Sequence, residues 1–136
     1  MSQENVEIVR RIVQAFAERD RDTATAPLDS RIEWDATRSP ADDIRGIYEG
    51  LEGVAEFWRR WLSAWRTVET GEPELIDGGD RVLGWFAGQR NVGRHSGIEV
   101  RNPEFGLLYT FRGGKIIRVT LYVDRAEALE AAGLSE

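Results

Sequence analysis

Residues 105–123 read FGLLYTFRGGKIIRVTLYV, two runs of apolar and β-branched residues on either side of Gly113 and Gly114. A two-residue type I′ turn needs positive φ angles at both central positions, and consecutive glycines adopt them without strain. The stretch therefore predicts an antiparallel hairpin. Pro103, just before it, predicts a bulge or an edge position because proline donates no backbone N–H to a neighbouring strand.

The spacing of apolar residues divides the rest of the chain into helical and extended segments. Helices are predicted over residues 3–20, 22–28 and 51–67, a loop over 37–50, and strands over 31–36, 69–76, 81–91, 98–111 and 115–123. Asp124 is expected to cap a final helix, with Glu127 three residues later and Gly133 as its end. This order predicts a single α+β domain over residues 1–136, a bent antiparallel sheet wrapped around the long helix as a cone with a cavity at its wide end.

Composition excludes several classes of protein. The chain has 136 residues and a net charge of −6, which argues against nucleic-acid binding because that needs clustered Lys and Arg. It contains no cysteine and one histidine, His95, so disulfides, thiolate nucleophiles and multi-His metal sites are excluded. No apolar run reaches the roughly 20 residues that cross a bilayer, and no signal peptide is visible. We expect a cytoplasmic protein with no cofactor, no metal and no membrane or nucleic-acid partner.

Six segments resemble the SnoaL-like branch of the NTF2-like superfamily, whose cystatin-like fold is an α+β cone. They are residues 5–20, 31–35, 46–50, 53–58, 111–116 and 122–124. The resemblance implies a curved, antiparallel mixed sheet around a long helix, with N-terminal helices and a short C-terminal helix. The superfamily includes isomerases, cyclases, hydrolases and modules that only bind or dimerise, so the resemblance implies a fold and leaves the reaction open.

Asp35 is the predicted catalytic residue, because the resemblance places it where steroid isomerases keep a general base. If its side chain points inward, desolvation raises its pKa and allows proton transfer near neutral pH. The alternative is that Asp35 ends its strand and faces water or caps the turn before Thr37. The oxyanion donors of the isomerases do not match, since Ile12 and Leu107 occupy those positions.

A site for a hydrophobic, oxygenated small molecule is predicted in the cavity. Trp58, Trp61 and Trp65 recur at helical spacing and are expected to form an aromatic wall on the long helix, with core packing as the alternative. The full set of predicted ligand-binding residues is Trp34, Tyr48, Trp58, Trp61, Trp65, Arg101, Leu107 and Tyr109.

Two of these residues are placed by strand parity. Arg101 and Tyr109 share the parity of Leu107, which the resemblance puts inside, so both are predicted to face the cavity. An inward arginine would bind a carboxylate or enolate oxygen. The alternative for Arg101 is a solvent-exposed position paired with Glu99 or Glu104.

Two functions remain open at this point. One is a cofactor-independent isomerase, cyclase or hydrolase with Asp35 as acid and base, and the other is a non-catalytic ligand-binding or dimerisation module. A cavity that reaches Asp35 would favour the enzyme, whereas a solvent-facing Asp35 or a solidly packed cone would favour the module. A homodimer is expected in both cases, because Leu108, Ile117 and Tyr122 give one sheet face an apolar surface that needs a cover.

Overall fold

The computed structural model describes residues 2–134, which form helices packed on two β-sheets. The helices are α1 (Ser2–Ala17), α2 (Arg21–Thr25), α3 (Gly50–Ser63) and α4 (Arg125–Ala131), with a 3-10 turn at Asp42–Ile44. The strands are β1 (Leu28–Asp35), β2 (Ile47–Glu49), β3 (Trp65–Thr70), β4 (Glu74–Asp77), β5 (Arg81–Phe86), β6 (Gln89–Gly93), β7 (Glu99–Asn102), β8 (Phe105–Arg112) and β9 (Lys115–Tyr122). The predicted α+β class is confirmed.

The larger sheet has the strand order β2-β1-β9-β8-β5-β4, and the smaller sheet has the order β3-β6-β7. Only β1 and β9 pair in parallel, so the larger sheet is mixed. The predicted strands over residues 69–76, 81–91 and 98–111 are each divided between the two sheets, and single strands there are wrong. Gly88, at φ +149°, and Pro103, which lacks an N–H, interrupt two of them.

The hairpin turn and the two ends of α4 agree with the predictions made from the sequence. Gly113 and Gly114 have φ angles of +59° and +79°, as the predicted turn requires. Asp124 accepts a hydrogen bond from the backbone N–H of Glu127 at 3.1 Å and begins α4. Gly133 follows the helix at φ +83°, which confirms its predicted role as the stop.

One face of the larger sheet packs against α1 and α3, and we call it the inner face. Trp34, Val119, Tyr109 and Val82 are successive cross-strand partners on it, and all are buried. The helices contribute Val9, Ile12, Val54 and Phe57 to the same core. This face contains most of the apolar interior.

The opposite, outer face is covered by α4. A second core joins Leu108 and Tyr122 of the sheet to Ala128 and Leu129 of α4. Two of the three residues on which the homodimer was predicted are therefore buried under a helix of the same chain. That argument for a dimer is wrong, because the face already has its cover.

Gly78 lies where α4 meets the β4–β5 turn. A Cβ added to Gly78 would lie 2.6 Å from the carbonyl oxygen of Ala132 and 2.8 Å from that of Arg81. Because backbone atoms must move to relieve these contacts, we predict that Gly78→Ala lowers the free energy of unfolding by about 1–3 kcal/mol, measured by urea denaturation.

Gly71→Ala is the matched control for this substitution. An added Cβ there has no atom within 4 Å, so we expect a change of no more than about 0.5 kcal/mol. Equal stabilities of the two variants would contradict the packing described for α4.

Candidate functional site

Asp35 lies on the outer face, opposite to its predicted direction. It pairs with Thr120, which in turn pairs with the buried Leu108 of the outer core. The Asp35 carboxylate accepts hydrogen bonds from the hydroxyl and backbone N–H of Thr37 at 2.6 and 3.0 Å. Arg38 lies 4.0 Å away, between Asp35 and Glu127 of α4. Asp35 thus caps the turn after β1, the alternative that the sequence left open.

The raised pKa expected for Asp35 is also wrong. Partial burial acts to raise its pKa, but the two hydrogen bonds from Thr37 and the nearby guanidinium groups of Arg38 and Arg118 outweigh that effect. The pKa of Asp35 is therefore held below its ordinary value. A carboxylate stabilised in this way is a poor proton acceptor near neutral pH.

The inward position that follows Trp34 belongs to Ala36, which is fully buried in the inner core. Between residues 2 and 134, the buried polar side chains are Ser39, Asn91 and Thr120. None of these is a carboxylate. The described part of the chain consequently places no buried acid on the inner face.

The lowered pKa of Asp35 makes a pH-dependent prediction. Ionised Asp35 stabilises the fold above its unfolded-state pKa of about 3.9, and this contribution is lost as the pH falls through the lower folded-state value. We predict that Asp35→Asn lowers the urea midpoint at pH 7, and that the difference from wild type shrinks as the pH falls below the unfolded-state pKa.

The control is Asp43→Asn, at an exposed residue of the 3-10 turn for which the described structure shows no side-chain ion pair or hydrogen bond. Its midpoint should match that of the wild type throughout the pH range. An Asp35→Asn midpoint equal to the wild-type value at pH 7 would refute the capping role of Asp35.

The predicted aromatic wall is partly core. Trp58 packs edge-on against Trp34, with ring centroids 5.9 Å apart, and against Phe16 of α1 at 5.4 Å. Phe57 lies 5.2 Å from Trp34 and 5.3 Å from Tyr48. These rings occupy the middle of the cone, so the packing alternative describes Trp34 and Trp58.

The prediction that Trp65 lies on the long helix is wrong. α3 ends at Ser63, and Trp65 begins β3. Arg94 holds this helix end, because its guanidinium group donates to the carbonyl oxygens of Ser63 and Trp65 at 3.2 and 3.0 Å. The Trp65 ring lies 5.6 Å from the Trp61 ring. The two indoles therefore meet across the junction between helix and strand, and both are only half-buried.

The remaining predicted residues are divided between the interior and the surface. Leu107 and Tyr109 lie on the inner face, and burial raises the pKa of the Tyr109 hydroxyl. The Tyr48 hydroxyl donates to the carbonyl oxygen of Ile44 at 2.8 Å, and this hydrogen bond stabilises the segment that precedes β2. Arg101 does not face the interior. Its side chain is 76% exposed and pairs with Glu99 at 3.0 Å, the alternative named for it.

The smaller sheet contains polar groups that the sequence reading missed. Trp65 Nε1, Asn91 Oδ1 and Asn102 Nδ2 are buried atoms without a hydrogen-bond partner among the described residues. Asn91 itself is fully buried. The alternation of Gln89, Arg90 and Asn91 is the signal for them in the sequence, since it separates the amides from the charges.

Strand pairing relates these three groups to one another. Trp65 pairs with Gly93, which lies two residues from Asn91 on β6, and the register of β3 shifts between Trp65 and Thr67. Asn102 pairs with Gln89, which lies two residues from Asn91 in the other direction. Residues two apart on a strand point the same way. We call Trp61, Trp65, Asn91 and Asn102 the indole–amide cluster.

The structure also has two surface grooves and an exposed histidine. Two shallow surface grooves of about 420 and 470 Å³ run along α1, and both are lined by Ile8 and Arg11. None of the predicted site residues lines them. His95 is exposed in the turn after β6. Over residues 2–134, no three His, Asp or Glu side chains are grouped to hold a metal ion, and no helix is long and apolar enough to span a membrane.

An α+β cone with helices inside a bent mixed sheet is the architecture of NTF2-like proteins, and the fold expected from the resemblance is confirmed. Residues 9–119 match the SnoaL-like domain family. The chain belongs to this family. No curated protein shows significant similarity to it.

Solved structures agree on the fold. An NTF2-like protein of unknown function from Burkholderia pseudomallei is 22% identical, with 93% of this chain and 95% of that chain covered and a TM-score of 0.76. A putative polyketide cyclase from Xanthomonas campestris pv. campestris is 21% identical, with coverages of 96% and 98% and a TM-score of 0.75. TerC, co-crystallised with polyporic acid, is 20% identical, with coverages of 96% and 98% and a TM-score of 0.74.

Proposed function

We propose that this chain is a SnoaL-like ligand-binding domain that takes a hydrophobic, oxygenated small molecule at the indole–amide cluster. The observation that carries the proposal is that three buried polar atoms without partners among the described residues lie in one small sheet. The proposal gives Asp35 no catalytic role, because its carboxylate is turned to the outer face and hydrogen-bonded there. This is the binding-module alternative of the two functions considered.

The energetic argument is that unpaired buried polar atoms are costly. Each one costs about 1–3 kcal/mol of stability when no hydrogen bond replaces the lost water. Native proteins keep few such groups, and those they keep require a reason. A ligand that hydrogen-bonds to Trp65, Asn91 and Asn102 would offset this cost on binding.

The rings beside these atoms favour an apolar, planar ligand. Trp61 and Trp65 are half-buried and adjacent, with a centroid distance of 5.6 Å. Indoles provide large apolar surfaces with a single polar edge. A molecule with a ring system and a few oxygen atoms therefore suits this end of the cone better than a polar or extended ligand.

Three charged residues of the small sheet lie on its other face. Glu69, Arg90 and Arg101 are neighbours across β3, β6 and β7, and Arg90 forms ion pairs with Glu69 and Glu99. Because adjacent residues of a strand point to opposite faces, these charges are turned away from Asn91.

The named solved structures lend general support. TerC was co-crystallised with polyporic acid, which makes that compound a reasonable first probe for this chain. A cytoplasmic location and a homodimer stay predictions here. Neither is needed for binding at the indole–amide cluster.

The test is calorimetric titration of the chain with polyporic acid and a panel of aromatic ketones and lactones. We expect at least one compound to bind, and we expect Trp65→Phe to weaken it at least about fivefold, since one indole donor is worth about 1 kcal/mol. Asp35→Asn should bind as the wild type does.

Trp85→Phe is the matched control, because Trp85 is a buried indole of the outer core under α4. Its affinity should be unchanged once circular dichroism shows that it is folded. Failure of the whole panel to bind would refute the proposed function. Equal losses in Trp65→Phe and Trp85→Phe would show that binding does not occur at the cluster.

A further inference from the structure

We propose that Gln89 sets the polarity of the indole–amide cluster, because it lets Asn91 present either a hydrogen-bond acceptor or a hydrogen-bond donor to the ligand. The cluster then binds a ligand carbonyl group and a ligand hydroxyl or N–H group at the same position. This inference rests on the proposed function and adds a positioning residue to it, since Gln89 acts on the ligand only through Asn91.

Three polar side chains of the small sheet form a chain of hydrogen bonds. Gln89 Nε2 donates to Thr70 Oγ1 at 3.0 Å, and Asn91 Nδ2 donates to Gln89 Oε1 at 3.0 Å. Thr70 is the cross-strand partner of Gln89, and Asn91 follows Gln89 two residues later on β6. All three side chains therefore lie on one face of the sheet, with Gln89 in the middle and the fully buried Asn91 at one end.

The chain uses one side of the Asn91 amide and leaves the other side free. Asn91 Oδ1 is buried and has no hydrogen-bond partner among the described residues. Buried polar atoms are rarely left without a partner in native proteins. The free side of the Asn91 amide is therefore the point at which a ligand would extend the chain of hydrogen bonds.

Both links of the chain can run in the opposite direction. A threonine hydroxyl donates and accepts, and an amide carries an oxygen on one side and an NH2 group on the other. When both amides turn by 180°, Thr70 donates to Gln89, Gln89 donates to Asn91 Oδ1, and the free atom of Asn91 becomes Nδ2, a donor. The two states contain the same number of hydrogen bonds, so a ligand that prefers one of them selects it at little cost.

The amide of Gln89 is what permits both directions. A glutamate at this position accepts from both neighbours and fixes the free atom of Asn91 as Oδ1, the acceptor. A lysine at this position donates to both neighbours and fixes the free atom as Nδ2, the donor. The two substitutions thus fix opposite polarities at the same buried residue.

The experiment compares 9-fluorenone, carbazole and fluorene by equilibrium dialysis with the full chain at pH 7. The three probes share a flat tricyclic framework. At the same position of that framework, the first carries only an acceptor, the second only a donor, and the third neither. We expect 9-fluorenone and carbazole each to bind the wild type at least about fivefold more tightly than fluorene, the effect of one net hydrogen bond.

The variants at residue 89 should separate the two polar probes. In Gln89→Glu, carbazole should keep its advantage over fluorene and 9-fluorenone should lose it, whereas Gln89→Lys should show the reverse. A merely structural role of Gln89 would lower all three affinities together and leave their ratios unchanged. Gln14→Glu is the matched control, because it makes the same chemical change at an exposed residue of α1, and its ratios should equal those of the wild type.

The outcomes distinguish this inference from the proposed function. A wild-type chain that does not bind both polar probes more tightly than fluorene would overturn the inference, whether or not the variants fold. Folded Gln89→Glu and Gln89→Lys chains with wild-type ratios would overturn it as well. In both cases, binding of any compound of the ketone and lactone panel leaves the proposed function standing. If neither that panel nor the tricyclic probes bind, the proposed function itself is overturned.

Discussion

The alternation of β1 is the constraint on which the site depends. Trp34 is buried in a row with Val119, Tyr109 and Val82, and this row fixes the register of the inner face. A strand alternates strictly, so once Trp34 points inward, Asp35 must point outward and Ala36 inward. A slip of β1 by one residue would replace Ile32, Trp34 and Ala36 on the inner face with Glu33 and Asp35. Burial of large rings thus decides where the carboxylate goes, and it goes to the surface that α4 covers.

The second constraint is the bend that divides three strands between two sheets. Past the breaks near Gly88 and Pro103, β6 and β7 belong to the small sheet, where Asn91 and Asn102 share one face and Arg90 and Arg101 share the other, outer one. The outer face of the same strands carries paired charges, such as Arg90 with Glu99 at 2.7 Å. Polar groups therefore lie on both faces of the small sheet. The charges pair with each other, whereas the amides leave Asn91 Oδ1 and Asn102 Nδ2 without partners among the described residues. That asymmetry distinguishes the small sheet from the rest of the cone.

The fold could be predicted because its signals are local. Gly113 and Gly114 determine a turn by their own φ angles, and Asp124 caps α4 through a residue three positions away. Asp35 shows the opposite case. The alternation of apolar and acidic residues in β1 indicates an outward Asp35, whereas the resemblance to steroid isomerases implies an inward one. Trp65 was misplaced because helical spacing continues past Ser63, and the helix end depends on the distant Arg94.

The amides were missed because hydrogen-bond satisfaction is a tertiary property. A sequence shows that Asn91 alternates with Arg90, but only the packed chain shows that its Oδ1 has no partner. A fully buried amide that serves structure alone would be expected to satisfy all its groups, as most buried polar groups do. An amide that serves binding must instead keep one group free, at a cost to the stability of the unbound protein. The unpaired atoms of the small sheet fit the second case, and three of them in one small sheet argue for recognition of a single ligand.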